Sequence, residues 1–401
     1  MLREEQLRVI EELRDHLQND STAYAAGPMR APVSDYTCPD LLQKELDQFF
    51  KREPLLLGLS PDLPENNTYL ATSETRVPIL MTRDNDGTFR AFLNVCRHRG
   101  VQVVPDGRGR KSKFSCPFHA WTYQNTGSLI AITKEERFGC VDKENHGLVE
   151  LPAEEKHGML WIRPTPGGDP IDVDATLGGL APEMESWNIP THPYSEEQTI
   201  HANINWKLAM DTFGENYHFD FLHKESLAPQ IWGNLQTSAA YDKNYRMAFA
   251  SKTNFEHVVA SVPEEEWRYR YMTLNVYFLY PNAIFLVDAL GLDLLRMYPD
   301  PNNPGKSTTC HRFYYNPEIL RYFEKVKEET GEDQKPETRF KGFNEIVVDE
   351  DYAMAELTQV GATSGAQTHY WFGKNEPALQ HYHNAHRKGL GLSELEVIAN
   401  G

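Results

Sequence analysis

The chain has 401 residues, 40% of them hydrophobic and 11% aromatic, which is enough for a sizeable core and for two domains of ordinary size. A formal net charge of −18 with no basic stripe argues against nucleic acid as a partner, and no apolar run reaches the length that spans a membrane. The charged, helix-like start from Met1 to Arg8 has no apolar signal core, so a soluble, cytoplasmic protein is expected.

Leu7, Ile10, Leu13 and Leu17 recur at helical spacing and predict an amphipathic helix over residues 2–18. A Gly/Pro/Ala loop follows, then a second helical stretch over 37–53. From Pro54 to about Arg163 the texture changes to short apolar runs between turn residues. Residues 77–83 and 88–95, joined by Asp84-Asn-Asp-Gly87, predict a hairpin. Residues 114–116, 121–123 and 159–163 are further strand candidates. This stretch reads as a small all-β domain. Pro164–Pro170, with three Pro and two Gly, marks a boundary. Beyond it, 203–224 reads as helix, 272–280, 283–288, 296–299 and 308–315 read as strands, and 318–330 and 343–360 read as helices, the last capped by Gly361. The second domain is therefore expected to be α+β with an antiparallel sheet.

The five cysteines, Cys38, Cys96, Cys116, Cys140 and Cys310, do not form a disulfide framework in a chain this long. Cys38, Cys140 and Cys310 have no neighbours that complete a ligand motif and are expected as buried apolar thiols. The other two belong to Cys96-Arg-His98 and Cys116-Pro-Phe-His119, pairs separated by seventeen residues. Zinc fingers usually pair like with like, Cys with Cys and His with His. Here each pair mixes one thiolate with one imidazole, which suits a two-iron cluster with both thiolates on one iron and both imidazoles on the other. The neutral imidazoles raise the reduction potential above that of an all-cysteine cluster. Pro117 stiffens the second loop, and Trp121 can cap the cluster against water.

A second set lies later. Asp211, Glu215 and His218 stand at i, i+4 and i+7, on one face of a helix. His223 is five residues past His218, roughly 140° around an ideal helix, so both reach one metal only if the helix distorts or ends there. The acidic run Asp349-Glu350-Asp351 can add a carboxylate. Two His and one carboxylate on one side of an iron leave positions open for dioxygen.

Asn94-Val-Cys-Arg-His-Arg-Gly100 and Cys116-Pro-Phe-His-Ala-Trp-Thr-Tyr123 resemble the Rieske signature of the large (α) subunits of non-haem iron ring-hydroxylating oxygenases. Asp86-Gly87, Gly127-Ser-Leu129, Tyr217-His218 with His223, and Glu350-Asp351 match the same family. Phe118 and Ala120 depart from it, since the family more often has Tyr and Gly there. The resemblance implies a [2Fe-2S] Rieske cluster on Cys96, His98, Cys116 and His119, and a mononuclear Fe(II) on His218, His223 and Asp351, with Asp349 as the fallback carboxylate. It implies that Glu215 links His218 to the cluster-binding His of a neighbouring subunit, where members often have Asp. Asp211, on the same face, is a candidate supporting acid.

The implied architecture is an N-terminal helical segment (1–36) packing on the catalytic domain, a Rieske domain (37–165) and a mononuclear-iron domain of helix-grip type (166–401). The implied activity is that of a terminal oxygenase, using O2 to mono- or cis-dihydroxylate a small aromatic substrate. The alternative is oxidative demethylation or hydroxylation of an N-methyl or quaternary ammonium compound. A Rieske electron carrier or redox sensor is the distant alternative. No P-loop or dinucleotide fingerprint appears, so a separate NAD(P)H-dependent reductase, with or without a ferredoxin, must supply electrons. Electron transfer between subunits requires an oligomer, expected as a homotrimer. His381-Tyr-His383-Asn-Ala-His386 is set aside as a metal site. Some of Phe219, Phe221, Leu222, Trp232, Tyr271, Met272, Phe278 and Phe285 are expected to line an apolar pocket.

Overall fold

A computed structural model describes residues 1–331 and 337–398. The chain forms two compact units. One comprises Met1–Leu46, Leu177–Trp187 and Thr191–Gly401; the other comprises Asp47–Thr176 with Asn188–Pro190.

The larger unit is built on a seven-stranded antiparallel sheet. Its order is Tyr194–Ala202, Asn303–Tyr315, Gly291–Asp300, Ala283–Val287, Thr273–Leu279, Asn244–Ala250 and Thr237–Tyr241. Six strands run as a continuous meander, and the first strand closes against the last. Ala283–Val287 is buried at every position, so its Val/Ile/Phe/Leu run packs on both faces and does not alternate. Phe285 lies opposite Tyr277 on one side and Leu294 on the other, in register with the core.

Helix Arg3–Asn19 buries Val9, Ile10 and Leu13, so Ile10 and Leu13 of the expected stripe face the core while Leu7 and Leu17 are only half-buried. Helix Pro39–Gln48 belongs mostly to this larger unit, whereas residues from 37 onward were expected in the β domain. The reason is Glu45, whose buried carboxylate accepts from Trp206 Nε1 at 2.9 Å and pairs with Lys207 Nζ.

A second buried charge group holds the N-terminal helix. Arg246 is fully buried and is paired with Glu183 at 2.8 Å and Glu5 at 2.7 Å. Tyr277 donates to the same Glu183 at 2.5 Å.

The smaller unit consists of three antiparallel sheets. Phe89–Leu93, Ile79–Arg83, Thr68–Thr72 and Gly107–Arg110 form the four-stranded one, with the expected hairpin turning at Asp84–Thr88. Asp84 closes this turn by accepting from the N–H groups of Asp86 and Thr88. Lys113–Ser115, Thr122–Gln124 and Leu129–Ala131 form the second sheet. Cys96 and Cys116 are part of the unit's apolar core with Phe92, Phe114, Trp121 and Tyr123. Cys310 is buried and Cys38 half-buried, but Cys140 is exposed, contrary to expectation, because it follows the exposed turn Glu135–Gly139. Among the described residues, no helix is long and apolar enough to cross a membrane.

Glu183→Ala would leave Arg246 buried with only its partly exposed partner Glu5. A loss of about 3–5 kcal/mol is expected. Urea denaturation followed by circular dichroism checks this, and a change under about 1 kcal/mol would show that the pair contributes little.

Candidate metal centres

The two cysteine loops of the smaller unit share one geometry. Cys96 N donates to Val101 O at 2.8 Å and Gly100 N to Cys96 O at 3.0 Å. Cys116 N donates to Trp121 O at 2.8 Å and Ala120 N to Cys116 O at 2.9 Å. Each loop closes on a residue with positive φ, Gly100 at 80° and Ala120 at 55°. Gly fits this region without cost, and Ala120 occupies it under mild strain.

The loops turn both thiols inward, 3% exposed each, and leave His119 exposed and His98 half-exposed. The imidazole rings meet edge to face at 4.7 Å, and Trp121 stacks on His98 at 5.1 Å. Tyr123 OH lies 3.3 Å from Cys96 Sγ and accepts from Arg97 N at 3.0 Å. Burial pushes the Cys116 thiol up, and its hydrogen bond with Cys96 adds to this. The sulfurs are thus neighbours and the rings are neighbours. Among the described residues, however, these four do not gather three ligand atoms at single-ion spacing. That donor arrangement fits a binuclear cluster and not one tetrahedral zinc.

In the larger unit, the expected helix over 203–224 is confined to Trp206–Asp211. Asn205 caps it by accepting from Lys207 N at 2.9 Å. It ends early for two reasons. At Gly214 a Cβ would lie 2.2 Å from Leu379 Cδ2, so this close approach requires glycine. Glu215 Oε2 then accepts from Tyr217 N at 2.5 Å and His218 N at 3.1 Å, so a side chain captures N–H groups that a helix would bind to carbonyls. The chain continues in turns, and the rings of His218 and His223 come to 4.9 Å of each other.

The late acidic run lies on a π-helical segment, Val347–Tyr352, between helices Glu337–Ile346 and Ala353–Thr363. The helix thus passes Gly361, the expected cap. On the π turn two consecutive carboxylates reach one ring. Glu350 Oε2 is 2.7 Å from His223 Nδ1, and Asp351 Oδ1 is 3.1 Å from His223 Nε2. The same Asp351 oxygen is 3.4 Å from His218 Nε2. Asp349 is exposed and takes no part.

The ligand atoms of His218, His223 and Asp351 all lie within 4.8 Å of one another. His218 Nε2 is buried without a hydrogen-bond partner, as a nitrogen reserved for a metal would be. Both rings place Nδ1 on a carboxylate, Glu215 and Glu350, which orients Nε2 inward and makes it more basic. Burial opposes charge on His218, yet the neighbouring carboxylates of Asp351 and Glu215 outweigh it and raise the imidazole to about 10. His223 is raised by Asp351 and Glu350 against the same burial. The centre is thus electrostatically prepared for a cation.

The other expected residues separate. Asp211 turns away from the trio: Tyr36 OH donates to it at 2.8 Å and His383 Nε2 lies 2.9 Å from it. His386 Nε2 instead faces Pro281 O at 2.6 Å, so the nitrogens of the C-terminal histidines diverge. Glu376 was not anticipated. Burial, then the charges of Glu215 and Asp211, raise its carboxyl to about 7.

A cavity of about 450 Å³ opens beside the trio. Glu215, His223 and Asp351 form part of its wall, with Phe219, Leu227, Phe249 and Leu286 among its apolar lining. Of the eight apolar residues expected, Phe219 and Tyr271 line it. Phe221 is 78% exposed, and Met272, Phe278 and Phe285 are buried elsewhere in the core.

In metal-free protein at neutral pH, His218 holds a proton that an incoming metal must displace. Loading iron(II) at roughly pH 7–9 is expected to release about one to two protons per chain, with affinity falling as pH falls. Titration of apoprotein in weak buffer checks this. Absence of proton release, or equal release from His218→Asn, would contradict the assignment.

The sequence model of the ring hydroxylating alpha subunit (catalytic domain) matches residues 191–391, and that of the Rieske [2Fe-2S] domain matches residues 53–145. The chain is 30% identical over 201 residues to the glycine betaine monooxygenase oxygenase subunit of Chromohalobacter salexigens, covering 50% of this chain and 44% of that one. It is 29% identical over 202 residues to the benzene 1,2-dioxygenase alpha subunit of Pseudomonas putida, covering 46% and 42%. The aligned stretch therefore spans less than half the length of either relative. Among solved structures, a quaternary ammonium Rieske monooxygenase studied for carnitine oxidation and inter-subunit electron transfer superposes with a TM-score of 0.71, at 20% identity, over 91% of this chain and 94% of that one. With one domain for a [2Fe-2S] cluster and another for mononuclear iron, the chain belongs to the alpha-subunit family of Rieske ring-hydroxylating oxygenases.

Proposed function

We propose that the chain is the terminal oxygenase component of a Rieske non-haem iron oxygenase. The observation that carries this reading is the convergence of two imidazoles and one carboxylate beside a cavity whose wall includes His223 and Asp351, with His218 Nε2 unsatisfied. A pure electron carrier has no use for such a trio. His218, His223 and Asp351 hold the mononuclear iron, and Cys96, Cys116, His98 and His119 hold the cluster. Iron(II) in that place supplies open positions for dioxygen and, with electrons from the cluster, an oxidant for C–H bonds.

The chain's own groups do the rest. Glu215 holds His218 through Nδ1 and its backbone N–H, fixing the ring beside His223 and Asp351. Glu215 is also the bridge that receives electrons from a cluster-binding His of a neighbouring subunit, which supports a homotrimer as the working form. A separate reductase, with or without a ferredoxin, is the electron donor. The cavity's apolar wall excludes water from the reacting atoms and favours a small organic substrate.

An aromatic ring is the leading substrate class, supported by that lining and by the benzene dioxygenase relative. An N-methyl or quaternary ammonium compound is the second reading. It is favoured by the likeness to glycine betaine monooxygenase and by Glu, not Asp, at position 215.

Chemical analysis is expected to find about three irons and two sulfides per chain. Two irons with two sulfides would leave only an electron carrier. His218→Ala should abolish substrate oxidation, read by product mass with a surrogate reductase, and leave the visible cluster spectrum intact. Bleaching of that spectrum would contradict the separation of the two centres. Glu215→Gln should retain both metals and slow turnover by roughly 100-fold; turnover at the wild-type rate would remove Glu215 from the electron path.

A further inference from the structure

Among the described residues, Arg270 is the one arginine or lysine that lines the cavity. Arg270 stands on the turn Tyr269–Met272 that leads into strand Thr273–Leu279, and it lines the cavity together with Asp288 and Leu290. Its partners are all uncharged. Nε donates to Asp288 O at 2.6 Å and Nη2 to Gly291 O at 3.0 Å. Nη1 lies 2.7 Å from His192 Nε2, which accepts as the bare nitrogen of a neutral imidazole. Among the described residues, no carboxylate lies within ion-pairing distance of Arg270.

The nearby acids are committed elsewhere. Asp288 Oδ1 accepts from the N–H groups of Leu290 and Gly291, and Glu318 Oε2 accepts from Arg268 and Tyr271. Burial lowers the Arg270 guanidinium from its ordinary value, and the nearby charges of Asp288 and Glu318 oppose this only in part. A guanidinium has five N–H groups, so one on each terminal nitrogen is left over after these three bonds.

Arg270 is half-buried and no carboxylate touches it, so part of the cost of withdrawing its charge from water is left for a ligand to offset. Arg270 also has a plain structural use, since its bonds to Asp288 O and Gly291 O staple the turn between Ala283–Val287 and Gly291–Asp300. That use needs donors but no charge. Bonds to the carbonyls of one turn are within reach of a neutral amide, whereas no carboxylate of the described residues touches the permanent charge beside the cavity.

We propose that Arg270 is the substrate anchor and that the substrate carries a carboxylate. The two remaining N–H groups suit the two oxygens of a carboxylate, the pairing for which a planar guanidinium is better shaped than an ammonium. His192 holds the fork in place by accepting from Nη1. The rest of the molecule then lies along the apolar wall of the same cavity, which also includes His223 and Asp351. This holds for an aromatic acid or a zwitterionic ammonium acid alike, and it rests on reading the cavity as the substrate site.

The test uses two matched pairs on the iron-loaded holoprotein: benzoate against benzyl alcohol, and glycine betaine against choline. Calorimetry should show the carboxylate of at least one pair binding about tenfold or more tightly than its alcohol, the worth of a charge-assisted bond. Arg270→Gln should erase that preference while leaving the alcohol's affinity unchanged. Arg270→Lys should retain part of it. Equal affinities within both pairs, no binding by either carboxylate at millimolar concentration, or an Arg270→Gln variant that weakens both members equally would each overturn the proposal. If Arg270→Gln does not fold, the wild-type pairs and Arg270→Lys decide. Oxygen uptake with a surrogate reductase is read separately. A carboxylate preference without uptake supports the anchor and refutes the oxygenase, and uptake without a preference does the reverse.

Discussion

The grip of Asp351 and Glu350 on the ring of His223 is the constraint from which the larger unit's chemistry follows. One carboxylate takes each ring nitrogen, and the Asp351 oxygen that reaches His223 also approaches His218. Three donors that would otherwise lie on unrelated segments thereby meet at one point. The same contacts set part of the cavity wall, because His223 and Asp351 face it. Without a cation, the centre balances two raised imidazoles against buried Asp351 and half-buried Glu215 and Glu350. The same groups are placed to serve a cation as ligands and their orienting partners.

The two metal centres are constructed on opposite principles. The cluster loops are regular and nearly equivalent, with matching backbone bonds and matching positive φ at Gly100 and Ala120. They are anchored by buried thiols and present imidazoles outward, an arrangement suited to passing electrons at a surface. The mononuclear centre is built from irregular chain: a helix stopped at Asp211, a run of turns, and a π segment. Irregular backbone permits spacings that no uniform helix offers, and His218 with His223 is one of them.

This difference explains what the sequence revealed. Cys96, His98, Cys116 and His119 lie in short motifs whose spacing is nearly the geometry itself. The sheet strands from Thr273 onward were legible because long β-branched and aromatic runs leave little choice. The helix across 203–224 was misjudged, since periodicity records neither the packing of Leu379 over Gly214 nor the capture of backbone N–H groups by Glu215. Asp211 shares a helical face with Glu215 on paper, but Tyr36 and His383, distant in sequence, draw it aside. Cys140 looked like any other lone thiol, and only the turn before it exposes it. Arg270 gave no signal: in Arg268-Tyr-Arg270-Tyr271, nothing separates the arginine that faces solvent from the one that faces the cavity.

The π turn at Val347–Tyr352 has a consequence for how this protein can change. Successive residues on an α-helix point about 100° apart, so a uniform helix through this stretch could not readily aim Glu350 and Asp351 at one imidazole. The wider turn works as a vernier. It gives up ideal hydrogen bonding over a few residues and gains a fine adjustment of direction for two neighbouring acids. The aim of these acids therefore depends on residue count here more than on residue type. Conservative exchanges along the outer face of the segment leave the aim intact, whereas deleting one residue would wind the turn back to α pitch and rotate one acid off its ring.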